Sequence, residues 1–182
     1  MKRFLPKNLK QLLWFIVKSP QRKWIGYSTL FLDMRAYLSV FFKTSRKQKI
    51  TICVGVKNRS ENLLSFLITS MNACKDKDLL ALSIYDCGST DVQDLKTSIQ
   101  DIWEGDLKFE TSDQDFARTI SFNGAVKMAD TELVLICDAD MSLPADIVSK
   151  VVKYTGKFSA WFPVVWYTNE DGSGRYYTKV LE

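Results

Sequence analysis

The chain has 182 residues, of which 46% are hydrophobic and 13% aromatic. This composition supplies enough apolar surface for a buried core and excludes an intrinsically disordered chain. The four cysteines form no CxxC pair and the chain has no histidine, which argues against zinc sites and favours a reducing compartment. The net charge of +4 is uneven, because residues 1–49 carry +11 and the remaining residues carry −7.

The basic segment, residues 1–49, has apolar side chains at helical spacing among many lysines and arginines. This pattern predicts two amphipathic helices. No apolar run reaches the ~18–20 residues of a membrane span, and the pattern of a cleavable signal peptide is missing. Basic amphipathic helices with aromatic residues are typical of a peripheral membrane contact, on the cytoplasmic inner face. The alternative is that these helices pack on the domain or on a partner chain. Their apolar stripes disfavour binding of the basic segment to nucleic acid.

Residues 50–182 read as one α/β domain, because short apolar runs alternate with helical patterns. The predicted strands are 50–56, 80–85, 107–110, 132–137 and 159–167. The predicted helices are 60–71, 92–103, 116–129 and 144–154. Strands that alternate with helices predict a mostly parallel sheet with right-handed crossovers, flanked by helices. Such sheets bind ligands at the carboxyl ends of their strands.

Three predicted strands end in polar loops, at residues 57–59, 86–91 and 138–140. We expect all three loops to converge on one edge of the sheet. In the third loop, Asp138 and Asp140 flank Ala139, and an extended backbone would point both carboxylates to one side. They could then hold a divalent cation together with a diphosphate. Asp-x-Asp is weak evidence alone, but acids that end a buried strand are costly unless they coordinate or pair.

Two further charged residues are candidates for ligand contacts. Asp86 ends a predicted strand, and an ionised, fixed carboxylate suits the imide nitrogen of a uracil ring. The alternative for Asp86 is a plain strand-to-helix turn. Arg118 precedes the most apolar strand and could donate charge-assisted hydrogen bonds to a diphosphate. The alternative for Arg118 is a solvated helix face.

Taken in order, five segments resemble successive blocks of family 2 glycosyltransferases, which have the Rossmann-like GT-A fold. These segments are Ile52–Leu63, Asp86–Asp91, Phe116–Arg118, Asn123–Ala125 and Cys137–Met141. The resemblance covers about residues 50–168 and is greatest to chondroitin-polymerase and galactosyltransferase domains. It implies that nucleotide-sugar-binding residues are Gly55, Val56, Lys57, Arg59, Asp86, Arg118, Asn123 and Asp138. It also implies that Asp138 and Asp140 bind Mn²⁺ or Mg²⁺.

The activity implied by this resemblance is inverting transfer of a sugar from a UDP-sugar to a saccharide acceptor. The catalytic base stays unknown, because the chain has no Trp-Gly-Gly-Glu-Asp-like motif. Cys87 stands where a second Asp is common, and Asn123-Gly124-Ala125 shifts the usual Asn-x-Gly. The alternatives are a truncated, non-catalytic nucleotide-sugar-binding module and one half of a split enzyme. A phosphoacceptor signalling domain is disfavoured, because Lys57 and Arg59 stand where such domains need acids.

Overall fold

The structure is a computed structural model that describes residues 48–155, 160–163, 165–169 and 173–176. The two helices predicted for the basic N-terminal segment fall almost entirely within residues 1–47, outside the described residues. Among the residues that are described, no helix combines the length and the apolar character needed to span a bilayer.

A four-stranded parallel sheet forms the centre of the domain. Its strands are β1 (Ile50–Val56), β2 (Leu80–Asp86), β3 (Asp106–Thr111) and β4 (Leu133–Ile136). Their spatial order is β3-β2-β1-β4. The chain therefore builds outward from β1 to β3 and then returns to the other side of β1 for β4. This confirms the predicted Rossmann-like α/β arrangement and places the reversal of strand order between β1 and β4.

Four helical segments accompany the sheet. The first, α1, runs through residues 60–72 as an α-helical turn (Ser60–Asn62), a π-helical stretch (Leu63–Ile68) and a final α-helical turn (Thr69–Asn72). The others are α2 (Leu95–Gln100), α3 (Arg118–Met128) and α4 (Ile147–Tyr154). A 3-10 turn, Lys77–Leu79, leads into β2.

The main core lies on one face of the sheet, where side chains of β1, β2 and β4 pack with those of α1, α2 and α4. Helix α3 packs on the other face at very short range. A Cβ atom at Gly55 would lie 2.1 Å from the Oγ of Ser121, and one at Gly124 would lie 2.3 Å from the ring of Tyr85. Glycine at these two positions therefore allows α3 to sit directly on β1 and β2. This contact fixes the position of Arg118, the first residue of α3, relative to the sheet.

Several predicted boundaries differ from the structure. Helix α2 is shorter than the predicted 92–103, because Asp94 caps it by accepting from the backbone N–H of Thr97 at 3.0 Å. Helices α3 and α4 begin two and three residues later than predicted. The predicted strand 159–167 is right only at its end, where Trp166 and Tyr167 belong to a strand, and it is wrong for residues 160–163. Described residues 160–163 form no strand, and Pro163 has no N–H to donate to a ladder.

The residues at the end of that predicted strand form a different element. Strand β5 (Trp166–Thr168) pairs antiparallel with β6 (Gly174–Tyr176) as a separate two-stranded sheet. The aromatic and β-branched composition of this region correctly indicated extended structure. It did not indicate which strand would be the partner, because that depends on contacts between segments.

Candidate functional site

The loops after β1, β2 and β4 lie at the carboxyl edge of the sheet. The strands are parallel, with Val56 opposite Asp86 and Cys53 opposite Ile136. The backbone N–H of Cys137 continues this pairing by donating to the carbonyl of Cys53 at 3.0 Å. The predicted convergence of the three loops is therefore confirmed for the backbone.

The first and second loops are joined by side-chain hydrogen bonds. The backbone N–H of Asn58 donates to the Oγ of Ser89 at 2.9 Å, and the N–H of Thr90 donates to the Oδ1 of Asn58 at 2.8 Å. Ser60 donates from its backbone N–H and its hydroxyl to Asp91, at 2.8 and 2.7 Å. Sequence reasoning missed these bonds. The sequence signal for this loop was the asparagine at position 58. Asparagine tolerates a positive φ better than most residues, and the φ of Asn58 is 51°.

Asp86 is almost buried, with 4% of its surface exposed. Its Oδ1 accepts from the backbone N–H of Ser89 at 3.0 Å and from the Ser89 hydroxyl at 2.6 Å. Its Oδ2 accepts only a longer bond, 3.3 Å, from the same N–H. The turn that the sequence offered as one alternative is therefore present. It does not start a helix, because α2 begins at Leu95, and it leaves Oδ2 with acceptor capacity.

Arg118 and Asp138 form an ion pair between the start of α3 and the loop after β4. Their side chains are 67% and 44% exposed. The hydrogen bond to Asp138, and then the charge of that carboxylate, raise the pKa of Arg118. The ring of Phe122 lies 5.9 Å below the guanidinium carbon. The strand before Asp138 is half-exposed and not buried as predicted, so the cost of burying an unpaired acid does not explain this pair. Arg118 uses one N–H donor for Asp138.

The Asp-x-Asp segment turns instead of continuing the strand. Strand β4 ends at Ile136, Ala139 and Asp140 form a turn, and the N–H of Met141 donates to the carbonyl of Asp138 at 3.3 Å. The extended-backbone reason for placing both carboxylates on one side therefore does not apply. Both carboxylates are still close enough to Cys137 to affect its thiol. Burial, followed by the charges of Asp138 and Asp140, raises the pKa of Cys137 to about 12.

Carboxylate oxygens are the ligands that Mn²⁺ and Mg²⁺ prefer, so the donor type at Asp138 and Asp140 fits such an ion. The number of donors is small. No group of three or more metal-ligating side chains occurs in the described part of the chain. An ion held here would draw its remaining ligands from a diphosphate and from water, as Mg²⁺ commonly does.

The remaining residues implied by the resemblance lie in three different environments. Gly55 and Val56 are buried within β1, so they can offer a ligand only backbone atoms. Lys57 and Arg59 follow β1, and Lys57 is partly exposed whereas Arg59 is exposed. The pKa of Cys87 is raised by burial and by Asp86, whereas the charge of Lys57 lowers it. Lys57 therefore lies within electrostatic reach of the second loop.

Asn123 is separated from the ion pair, because it lies five residues beyond Arg118 on α3 and so projects from another side of the helix. It lines a cavity of about 370 Å³ between α3 and the strands β2 and β3. The other lining residues are Tyr85, Glu110, Gln114, Ile120, Gly124 and Lys127. The structure thus brings Arg118 and Asp138 together and leaves Asn123 in a neighbouring cavity.

Comparison with known proteins finds no matching family model and no matching curated protein. Among solved structures, the chain is similar to the mannosyltransferase PcManGT from Pyrobaculum calidifontis in complex with GDP-Man and Mn²⁺. The TM-score is 0.52 at 18% identity, over 69% of this chain and 39% of that one. The fold is shared with a glycosyltransferase. S. aureus TarS 1-349 gives a TM-score of 0.45 at 21% identity, over 56% of this chain and 30% of that one.

At 18% identity the likeness to the mannosyltransferase concerns the fold alone. The chain spans about two fifths of the length of that protein.

Proposed function

We propose that the chain binds a UDP-sugar at the carboxyl edge of the sheet, as the donor half of an inverting family 2 glycosyltransferase of the GT-A kind. The observation that carries this proposal is the Arg118–Asp138 ion pair. It lies beside the reversal of strand order between β1 and β4, which is where open α/β sheets bind nucleotides. The sugar is transferred to a saccharide acceptor in glycan or polysaccharide synthesis.

The diphosphate is assigned to Arg118 and the start of α3. A guanidinium has five N–H donors in a geometry that matches phosphate oxygens, and one of them is used by Asp138. Arg118 is also the first residue of an eleven-residue helix. The first N–H groups of a helix have no intrahelical partner, and its N-terminus carries partial positive charge. Both features favour an anion at this point.

The metal is assigned to Asp138 and Asp140. Asp138 bonds Arg118 through Oδ2, which leaves Oδ1 for a cation. When bound, Mn²⁺ or Mg²⁺ supplies charge neutralisation for the departing diphosphate. Support comes from the mannosyltransferase of similar fold, whose structure contains Mn²⁺ and GDP-Man.

The transfer itself is a single displacement at the anomeric carbon. The acceptor hydroxyl forms the new C–O bond as the bond to the UDP oxygen breaks, and this inverts the configuration. The hydroxyl proton passes to a carboxylate base, which we do not assign to any residue of this chain. In this chain, Arg118 holds the leaving diphosphate and disperses the charge that builds on it.

Calorimetric titration of the full chain with UDP and Mn²⁺ tests the proposal. We expect Arg118→Ala to weaken binding by about tenfold or more, because a hydrogen bond to a charged group is lost. Lys108→Ala is the matched control, because Lys108 forms another exposed ion pair, with Asp130, and should leave binding unchanged. Absence of binding by the unaltered chain, or unchanged binding when Asp138 and Asp140 are both replaced by alanine, contradicts the proposal.

A second candidate is a non-catalytic nucleotide-sugar-binding module, or one half of a split glycosyltransferase. It is favoured by β4, which is an edge strand of the described sheet and has Val134 and Ile136 38% and 53% exposed. The outer backbone N–H and C=O groups of such an edge strand are a template for a strand from another polypeptide. Assays of UDP-sugar hydrolysis and transfer separate the two functions. Turnover by the chain alone supports the enzyme, and nucleotide binding without turnover supports the module.

We also propose a peripheral contact between residues 1–49 and the cytoplasmic membrane surface, on the strength of their +11 charge and apolar stripes. Sedimentation of the full chain with lipid vesicles tests this contact. The chain should bind vesicles rich in anionic lipid and lose most of that binding when Lys2, Arg3, Lys7 and Lys10 are replaced by glutamate. Equal binding of neutral vesicles, or no loss in the variant, contradicts it.

A further inference from the structure

We propose that the cavity between α3 and the strands β2 and β3 binds one ring of a neutral saccharide. Its lining is polar and carries no net charge, and the polar side chains that form it have no partners in the described part of the chain. Neither Arg118 nor Asp138 lines this cavity. The inference therefore goes beyond the proposed nucleotide site and does not rest on it.

Three elements bring the lining side chains to one space. Glu110 of β3 lies opposite Tyr85 of β2 in the parallel register, so both side chains lie on the same face of the sheet. Helix α3 contributes a single stripe, because residues at spacings of three, four and seven lie on one side of a helix. The stripe consists of Ile120, Asn123, Gly124 and Lys127, and Gln114 of the preceding loop completes the lining.

Tyr85 is buried but has a hydroxyl without a protein partner. Only 9% of its surface is exposed, and its ring packs against the backbone of α3 at Gly124. Its hydroxyl makes no hydrogen bond among the residues that the structure describes. Every fully buried side-chain nitrogen or oxygen of those residues does have a partner, so the hydroxyl reaches open space, and Tyr85 lines the cavity. A buried tyrosine hydroxyl normally has a partner, which here would come from the cavity.

The other four polar side chains of the lining are also free to bind a ligand. Within the described ranges, no hydrogen bond or ion pair is formed by the side chains of Glu110, Gln114, Asn123 and Lys127. Glu110 and Lys127 have opposite charges and line the same cavity without pairing with each other. All five polar side chains of this cavity can therefore bond to a ligand.

A second cavity shows that free side chains are not a general property of this surface. It has a volume of about 400 Å³ and lies at the amino edge of the sheet. There Lys49 bonds Asp106 at 3.1 Å, and Gln48 donates to Glu132 at 2.9 Å. The remaining lining side chains of that cavity are bonded as well. Its polar groups are occupied by the protein, whereas those around Tyr85 are not.

The polar groups of the lining match the hydroxyl groups of a sugar. Tyr85, Gln114 and Asn123 are neutral, and each supplies both a donor and an acceptor. Sugar hydroxyls likewise donate and accept. The carboxylate of Glu110 accepts and the ammonium of Lys127 donates, and because their charges cancel they give an ion no net attraction. The lining therefore favours a neutral ligand with many hydroxyl groups.

The size and the apolar part of the cavity agree with this ligand class. The side chain of Ile120 is 45% exposed and offers an apolar wall to the C–H groups of a sugar ring. A volume of about 370 Å³ is within the range of small-molecule sites. A zwitterion such as an amino acid would pair with the two charged side chains but would leave the three neutral ones unused.

Chemical shifts of the full chain, recorded without nucleotide or metal, test this inference. The probes are the methyl glycosides of glucose, galactose, mannose and N-acetylglucosamine, with free glycine as a zwitterionic control. We expect at least one glycoside to shift the resonances of Tyr85, Asn123, Gly124 and Lys127. The shifts should persist at high salt, because the attraction of a neutral ligand is not screened. Free glycine should cause none of them.

Tyr85→Phe removes the hydroxyl and keeps the buried ring. This variant should bind the glycoside about three- to tenfold more weakly, because one hydrogen bond is lost. Its free energy of unfolding should not fall, because the hydroxyl has no protein partner. Tyr154→Phe is the matched control, because Tyr154 ends α4 and does not line the cavity. Asn123→Ala, at an exposed position, should also weaken binding and provides a second test if Tyr85→Phe does not fold.

The outcomes distinguish this inference from the proposed function. A chain that binds a glycoside but no UDP supports the inference and contradicts the proposed function alone. No shift with any of the four glycosides, or equal affinity in Tyr85→Phe and the unaltered chain, contradicts the inference. Shifts caused by glycine and lost at high salt would show a site for a zwitterion and contradict it too. A loss of stability in Tyr85→Phe would show a structural role for the hydroxyl and count against the inference.

Discussion

The guanidinium of Arg118 donates to the Oδ2 of Asp138, and this bond joins the first residue of α3 to the loop that follows β4. The side chain of Arg118 is 67% exposed and that of Asp138 is 44% exposed. Water screens the attraction between exposed charges, so a pair of this kind contributes little to folding. Under the proposed function, the pair at the carboxyl edge of the sheet serves the ligand and not the stability of the fold.

Removing the ion pair should therefore leave the fold nearly as stable as before. We expect Arg118→Ala to change the free energy of unfolding by less than about 1 kcal/mol, measured by urea denaturation. Lys108→Ala, which breaks the exposed pair with Asp130, should have an effect of the same small size. A loss of several kcal/mol in Arg118→Ala alone would show that the pair is structural.

The close packing of α3 on β1 predicts a large effect at Gly55. A Cβ there would lie 2.1 Å from the Oγ and 2.4 Å from the Cβ of Ser121, so Gly55→Ala should destabilise the chain by about 1–3 kcal/mol through overpacking. Ser121→Gly removes the clashing atoms. The double variant should therefore be more stable than the sum of the two single effects. Purely additive effects in a denaturation series would contradict this packing.

The buried thiols predict a loss of stability in alkali. Burial raises the pKa of Cys53 from 9.0 to about 11, and burial followed by two carboxylate charges raises that of Cys137 from 9.0 to about 12. As the pH rises, the unfolded chain therefore loses these two protons at a lower pH than the folded chain. The stabilisation is complete below pH 9.0 and is lost as the pH rises toward the folded values. Denaturation at a series of pH values measures this loss, which should be smaller in Cys137→Ala.

The same burial should protect the cysteines from chemical modification. All four are free and buried, and burial is the first cause of the raised pKa of each thiol. Because the thiolate is the reactive form, iodoacetamide should label the thiols of the folded chain slowly near neutral pH. In denaturant it should label all four thiols quickly. Rapid labelling of Cys87 in the folded chain would indicate that the second loop opens.

Elements buried along their whole length could be predicted closely from the sequence. The bounds of β1 were predicted correctly, because five of its seven residues are β-branched and every position is buried. The start of α3 was predicted two residues early, since Ala117 is extended and gives no side-chain cap. Such a boundary is set by the packing of α3 on the sheet, which no local pattern records.

The candidate site could be predicted only in part, because contacts between distant segments leave no local sequence pattern. Parallel topology was enough to bring the three loops to one edge, and it placed Arg118 near Asp138. The bonds from Asn58 to Ser89 and Thr90 join residues more than thirty positions apart, so their register could not be read from local spacing. The turn at Ala139 and Asp140 was missed because an alternation rule for strands was extended past the end of β4.

Amide chemical shifts of the full-length chain, recorded on addition of UDP with Mg²⁺, test most directly whether the three loops form one nucleotide site. Under the proposed function the perturbed amides fall in loops 57–60, 86–91 and 138–141 and at the start of α3, and Asp138→Ala abolishes the perturbation. Absence of shifts, or shifts confined to the opposite edge of the sheet near Gln48 and Glu132, would contradict it.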